Sequence, residues 1–127
     1  MSGERYLLDT NAIIALLQGN QRLIQRLQTA AWIGISIISQ LEFLAFTELS
    51  ESERQAFSQF LQRVEVVGLS SDQTRLIEQI VAVRQQYRVK LPDAVIVATA
   101  MQAEATLVTA DQQLQHLAGL LAVDCSE

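Results

Sequence analysis

The stretch that most constrains the fold runs from Arg5 to Leu17, where the apolar run Tyr6-Leu7-Leu8 stops at Asp9-Thr10-Asn11 and gives way to Ala12-Ile13-Ile14-Ala15-Leu16-Leu17. A hydrophobic strand that ends in a carboxylate and turns directly into a helix is the repeating unit of open parallel α/β sheets. In such sheets ligands gather at the carboxyl ends of the strands. The same unit recurs late in the chain, where Thr106-Leu107-Val108 runs into Thr109-Ala110-Asp111-Gln112.

Between these two units, strands and helices alternate. Gly19-Asn20 breaks the first helix, and Gln21 to Thr29 reads as an amphipathic helix with Leu23, Ile24 and Leu27 inward. Trp32 to Ile35 is a buried strand ending in Ser36, followed by a helix from about Ile38 to Glu48. Ser50 and Glu53 form a capping-box signature for a helix through Phe57, Phe60 and Leu61, and Val64 to Val67 is a third strand. A helix from Asp72 to about Tyr87, with its acids early and Arg84 and Arg88 late, presents Leu76, Ile77, Ile80 and Val81 at helical spacing. Pro92 opens a helix that is apolar nearly all round from Ala94 to Met101 and is therefore expected to be buried. Leu120 to Val123 reads as a last strand. The alternation predicts an α/β fold with a central, mainly parallel sheet of four to five strands, formed by one domain over residues 1–127.

Composition narrows the chemistry. The chain has 127 residues, half of them hydrophobic, and only 18% charged, so a charge inside an apolar stretch needs a partner or a metal. Cys125 is the only cysteine and His116 the only histidine, which argues against an internal disulfide, a Cys/His zinc site and a Ser/His/Asp triad. The start lacks the pattern of a signal peptide, and no apolar run approaches the roughly 20 residues of a membrane span, so a soluble, cytoplasmic protein is expected. A net charge of −5 opposes nucleic-acid binding by a broad basic surface. It does not oppose a metal-dependent enzyme whose acids are neutralised by cations that face the phosphate.

Four acids stand out. Asp9 serves equally well as the N-cap of the helix that follows it. Glu42 sits in a helix whose spacing puts Ile38, Ala45 and Phe46 on its own face, so it reads as inward and in need of a partner, a proton or a cation. Asp93 suits the first turn of its helix, and Thr109 with Gln112 makes a capping box that leaves Asp111 as a first-turn acid. Each has an ordinary structural explanation, yet all four fall at strand ends or on inward helix faces. Carboxylates brought together repel one another unless a divalent cation joins them, and oxygen ligands without sulfur or imidazole favour Mg²⁺ or Mn²⁺.

The chain resembles PIN-domain proteins, and among them the VapC-type toxin ribonucleases of toxin–antitoxin pairs. The resemblance rests on Leu7-Leu8-Asp9-Thr10-Asn11, Ser36 to Glu42, Leu91 to Ala100 and Leu107 to Asp111, in that order, and spans essentially the whole chain. It implies a three-layer PIN-like α/β/α fold and a Mg²⁺- or Mn²⁺-dependent endoribonuclease acting on single-stranded RNA. Asp9, Glu42, Asp93 and Asp111 would be the catalytic metal ligands, with Thr10, Asn11 and Thr109 supporting them. It also implies a homodimer and a cognate antitoxin protein, for which the surface near Glu42, Phe46, Phe57 and Phe60 is a candidate groove and ordinary core the alternative. Many relatives carry basic residues around the fourth acid and an aromatic residue after it. Here Ala110, Gln112 and Gln113 are neutral and Leu114 takes the aromatic position, which weakens the case for RNA binding at that edge and leaves Arg84, Arg88 and Lys90 as candidates for phosphate contacts, with a solvated helix end as their alternative.

Two rival readings bear on the same residues. One is a regulatory or interaction module that keeps the acidic pocket with little or no nuclease activity. The other is a phosphoryl-accepting α/β domain with Asp9 as the acceptor, as in haloacid-dehalogenase-like phosphatases, which want a second aspartate where this chain has Asn11.

Overall fold

A computed structural model describes residues 4–117 and 119–126. The elements are β1 (Glu4–Leu8), α1 (Thr10–Leu17), α2 (Gln21–Leu27), β2 (Ala30–Ser36), α3 (Ile37–Leu44), α4 (Glu51–Leu61), β3 (Glu65–Val67), α5 (Thr74–Tyr87), α6 (Leu91–Gln102), β4 (Thr106–Thr109), α7 (Gln112–Gln115) and β5 (Ala122–Asp124). The five strands form one sheet in the order β3-β2-β1-β4-β5, and every pair is parallel. The chain leaves β1 for β2 on one side and later fills β4 on the other, so the topological switch falls between β1 and β4, where Leu8 is in register with Val108.

Alternation along β1 sorts the core into two layers. Leu7 packs with α5 and α6 residues such as Ile80, Val83 and Ile96, while Tyr6 and Leu8 face Ile13, Leu23 and Phe57 of α1, α2 and α4. Helix α6 is buried without interruption from Ala94 to Ala100, as its apolar composition requires. The capping box at Ser50 and Glu53 is present, with both reciprocal hydrogen bonds formed.

Several expectations change. Helix α3 stops at Leu44 and not near Glu48: Ala45 is its C-cap, and Phe46, whose amide donates to Phe43 O at 3.3 Å, lies edge-on to Phe43 with ring centres 6.0 Å apart. Phe46 therefore does not share a helix face with Glu42. Helix α5 begins at Thr74 with no acid in its first turn, and it buries Leu76, Ile80 and Val83 while Ile77 and Val81 are exposed. The last strand begins at Ala122, and Leu121 before it is exposed. Phe57 is core, stacked on Phe43 at 4.1 Å, and leaves only Phe46 and the half-buried Phe60 facing outward from the aromatic cluster. No helix among the described residues is long and apolar enough to cross a membrane.

Candidate active site

The central strands β1 and β4 end side by side, and Asp9 N donates to Val108 O at 2.9 Å, so the residues that follow each strand meet at the switch point. Asp9 caps α1, its Oδ1 accepting from Thr10 N at 2.8 Å. Its other oxygen is turned to β4, where Thr109 Oγ1 donates to Oδ2 at 2.7 Å and Asn11 Nδ2 approaches at 3.4 Å. The cap and the site are thus the same carboxylate used on both sides. Asp9 is only 6% exposed and Thr109 is fully buried.

Glu42 arrives from α3, which starts directly at the end of β2 with Ser36 as its cap. Its Oε1 accepts from Thr10 Oγ1 at 2.6 Å, so the residue after Asp9 carries the second acid in place. Asp93 enters from the first turn of α6, behind Pro92, and is partly exposed. Asp111 is not a first-turn acid behind a Thr109 cap. It is itself the N-cap of α7, accepting from Gln113 N at 2.9 Å, because the Thr109 hydroxyl is spent on Asp9 and on accepting from Asp111 N at 3.0 Å.

The four acids share one electrostatic field. Burial raises the Asp9 carboxyl above its usual range, with hydrogen bonds from Thr109 and Thr10 opposing the rise and the charges of Glu42 and Asp111 adding to it. Asp93 is raised by burial first, then by Asp9, Asp111 and Glu42, and Lys90 offsets this only weakly. Among the described residues no three acidic, histidine or cysteine side chains already stand as a metal cage. The donor chemistry fits a hard divalent cation all the same. Mutually repelling carboxylates, one of them nearly buried, gain most from a cation they can share.

Lys90 is the N-cap residue of α6 and acts on Asp93, whereas Arg84 and Arg88 stand exposed at the last turn and the left-handed C-cap of α5. Two further residues support the site without any local signal in the sequence. Cys125, beyond β5, donates its thiol to Asn11 Oδ1 at 3.6 Å, and that same oxygen accepts from Ala110 N at 2.9 Å. Burial, with Asp124 and Asp9 adding, pushes the Cys125 thiol up to about 11, so it remains protonated and able to donate at neutral pH. Gln115 Nε2 donates to Thr109 O at 2.9 Å, tying α7 back to the end of β4.

A parallel α/β sheet with acids collected at the carboxyl ends of its central strands, on either side of the topological switch, defines the class. The chain belongs to the PIN domain family, whose model matches residues 6–120. Its fold is similar to that of a chain in a toxin–antitoxin complex from Klebsiella pneumoniae, at 31% identity and a TM-score of 0.75, covering 96% of this chain and 98% of that one. It is also similar to a chain of VapBC2 from Rickettsia felis bound to a promoter DNA fragment (22% identity, TM-score 0.77, 94% and 98% covered). A third similar fold is in DNA-bound VapBC from Salmonella typhimurium (21% identity, TM-score 0.74, 97% and 99% covered). No curated protein sequence matches the chain. The resemblance to VapC-type PIN proteins carried by the four motifs is met in family and in fold.

Proposed function

We propose that the protein is a Mg²⁺- or Mn²⁺-dependent endoribonuclease that hydrolyses phosphodiester bonds of single-stranded RNA, and that it is the toxin of a toxin–antitoxin pair. The observation that carries this reading is the nearly buried Asp9 carboxylate, raised in pKa and facing the charges of Glu42 and Asp111, with Asp93 raised by the same neighbours. Asp9, Glu42, Asp93 and Asp111 would hold the ion, which supplies positive charge to the phosphate and acidity to water. The chain's own part is orientation. Thr109 and the Thr10 amide fix the two oxygens of Asp9, and the Thr10 hydroxyl fixes Glu42. Asn11 bridges Asp9 and the start of the loop after β4. Lys90, with Arg88 and Arg84 behind it, would meet RNA phosphates on the α6 side of the acids.

The likeness to the Klebsiella complex supports an antitoxin partner, and two adjoining apolar hollows, one between α1, α2 and α4 and the other between α1, α3 and α4, suit an amphipathic segment. Phe46 lines one and Phe60 the other. A homodimer would use exposed Leu41 and Leu44 on α3 and Leu91 on α6, which flank Glu42 and Asp93 in the chain. The test is cleavage of single-stranded RNA with Mn²⁺ present and after chelation. Metal-dependent cleavage supports the reading, and its absence with every RNA tried rejects it. The alternative is an interaction module that keeps the acidic pocket with little or no nuclease activity. It would show as Mn²⁺-dependent thermal stabilisation without cleavage.

A further inference from the structure

Beside the acids, on the sheet face that carries α1 and α2 and so opposite the face that carries α6 with its N-cap Lys90, two clefts adjoin. The first, of about 390 Å³, begins at Asn11 and Ala110 and runs past Gln18 and Asn20 to Ser126. The second, of about 560 Å³, shares Asn20, Cys125 and Ser126 with it and continues between α2 and β5 to Arg22 and Arg26. Together they form one polar channel that starts at the residue hydrogen-bonded to Asp9 and ends at two arginines. Both arginines are exposed, and their spacing of four residues puts them on one helix face about 6 Å apart along the axis, so each can meet its own phosphate. The chain has only nine lysines and arginines against fourteen acids, so a pair lining the channel that leads from the acids is a local reversal of the overall charge.

We infer that this channel is a second arm of the RNA path, in which Arg22 and Arg26 hold phosphates of the strand on one side of the acids while Lys90 lies on the other. The inference rests on the ribonuclease reading and adds binding residues to it. A strand laid this way crosses the switch point and places an internal phosphodiester, not a chain end, over Asp9 and Asp93, as endonucleolytic cleavage requires. Asn20 and Ser126 form the waist of the channel, where Asn20 accepts from Leu23 N at 3.0 Å and donates to Cys125 O at 3.4 Å, which fixes its walls. Asp124 lines the same cleft, its carboxylate held by Ser126 N at 2.8 Å and Ser126 Oγ at 2.6 Å. It opposes the phosphates and sets the sign of a second variant.

The experiment measures anisotropy of a labelled single-stranded RNA with Mn²⁺ in an Asp93→Asn background, together with cleavage kinetics in the unmodified background. Arg22→Glu/Arg26→Glu is expected to weaken binding at least tenfold and to lower the log–log salt slope by about 1.4, two single-strand phosphate contacts' worth. In the unmodified background it is expected to raise KM with kcat within about twofold. Asp124→Asn is expected to tighten binding, and the charge-matched control Arg54→Glu/Arg75→Glu to change it less than twofold. Binding within twofold of the parent for Arg22→Glu/Arg26→Glu overturns the inference. If RNA is still cleaved in that case, the ribonuclease reading stands alone. Loss of binding in the double variant without cleavage by the unmodified protein keeps the channel and removes the ribonuclease reading. No binding and no cleavage by the unmodified protein removes both.

Discussion

Thr10 and Glu42, 32 residues apart in the chain, are joined by a 2.6 Å hydrogen bond in which the Thr10 hydroxyl donates to Glu42 Oε1. The bond ties the start of α1 to α3, so the residue next to Asp9 also sets the position of a second acid. Thr10→Val, which keeps the shape and removes the donor, is expected to lower RNA cleavage at least tenfold. Glu42 is only partly buried and water can take over its hydrogen bond, so stability should fall by no more than about 1.5 kcal/mol. Thr10→Ser should retain most activity. Cleavage rates and denaturant midpoints of the three proteins check this.

Thr109 holds Asp9 from the other side, and here the cost is larger. Its hydroxyl is fully buried, donates to Asp9 at 2.7 Å and accepts from Asp111 N at 3.0 Å. Thr109→Val leaves a buried carboxylate oxygen and a backbone amide short of a partner, which is expected to destabilise the protein by roughly 2–3 kcal/mol. Urea unfolding measures this, and an unchanged midpoint would show that the bond is dispensable.

Much of the site was legible because the chemistry interrupts apolar periodicity. Asp9 and Asp111 end strands, Asp93 follows the only proline, and Glu42 sits in an apolar helix. Their convergence was not legible, since it depends on β4 lying beside β1, and strand order leaves no local mark in the sequence. The same blindness explains Asp111. Thr109 read as a cap because its distant partner, Asp9, could not be seen. Phe46 read as helical because its spacing continues the apolar pattern of α3, and that pattern leaves no mark where the helix is capped at Ala45. Cys125 looked like a tail residue and is packed against Asn11, a contact made only by pairing β5 with β4.

The raised pKa of Asp93 makes a signed claim about stability. A carboxyl whose folded pKa lies above its unfolded value favours the fold while protonated, so its contribution is whole below the unfolded value near 3.8 and is lost as pH rises through the folded one. Asp93→Asn is therefore expected to raise the melting temperature at pH 7 relative to wild type, with the gain vanishing toward pH 3. The rise should be small, roughly 1–3 °C, because solvent screens this partly exposed group. Melting curves across pH decide it, and a variant less stable than wild type at pH 7 contradicts the repulsion.

Gly34 bears on the fold and not on the chemistry. A Cβ there would lie inside the Trp32 indole, which is held by Arg5 stacked 4.5 Å from its centre and by a 2.9 Å bond from its Nε1 to Glu65. Gly34→Ala is expected to cost about 2 kcal/mol. Trp32 is the only tryptophan, so the displaced ring should also report itself in intrinsic fluorescence.

The central claim is that Asp9, Glu42, Asp93 and Asp111 work as one metal-holding set on RNA. Its most direct test compares Mn²⁺-dependent cleavage of single-stranded RNA by the wild type with that by Asp9→Asn and Asp93→Asn. The account expects cleavage by the wild type that chelation abolishes, and losses of at least a hundredfold in each folded variant. Wild-type cleavage left unchanged by both substitutions would contradict it.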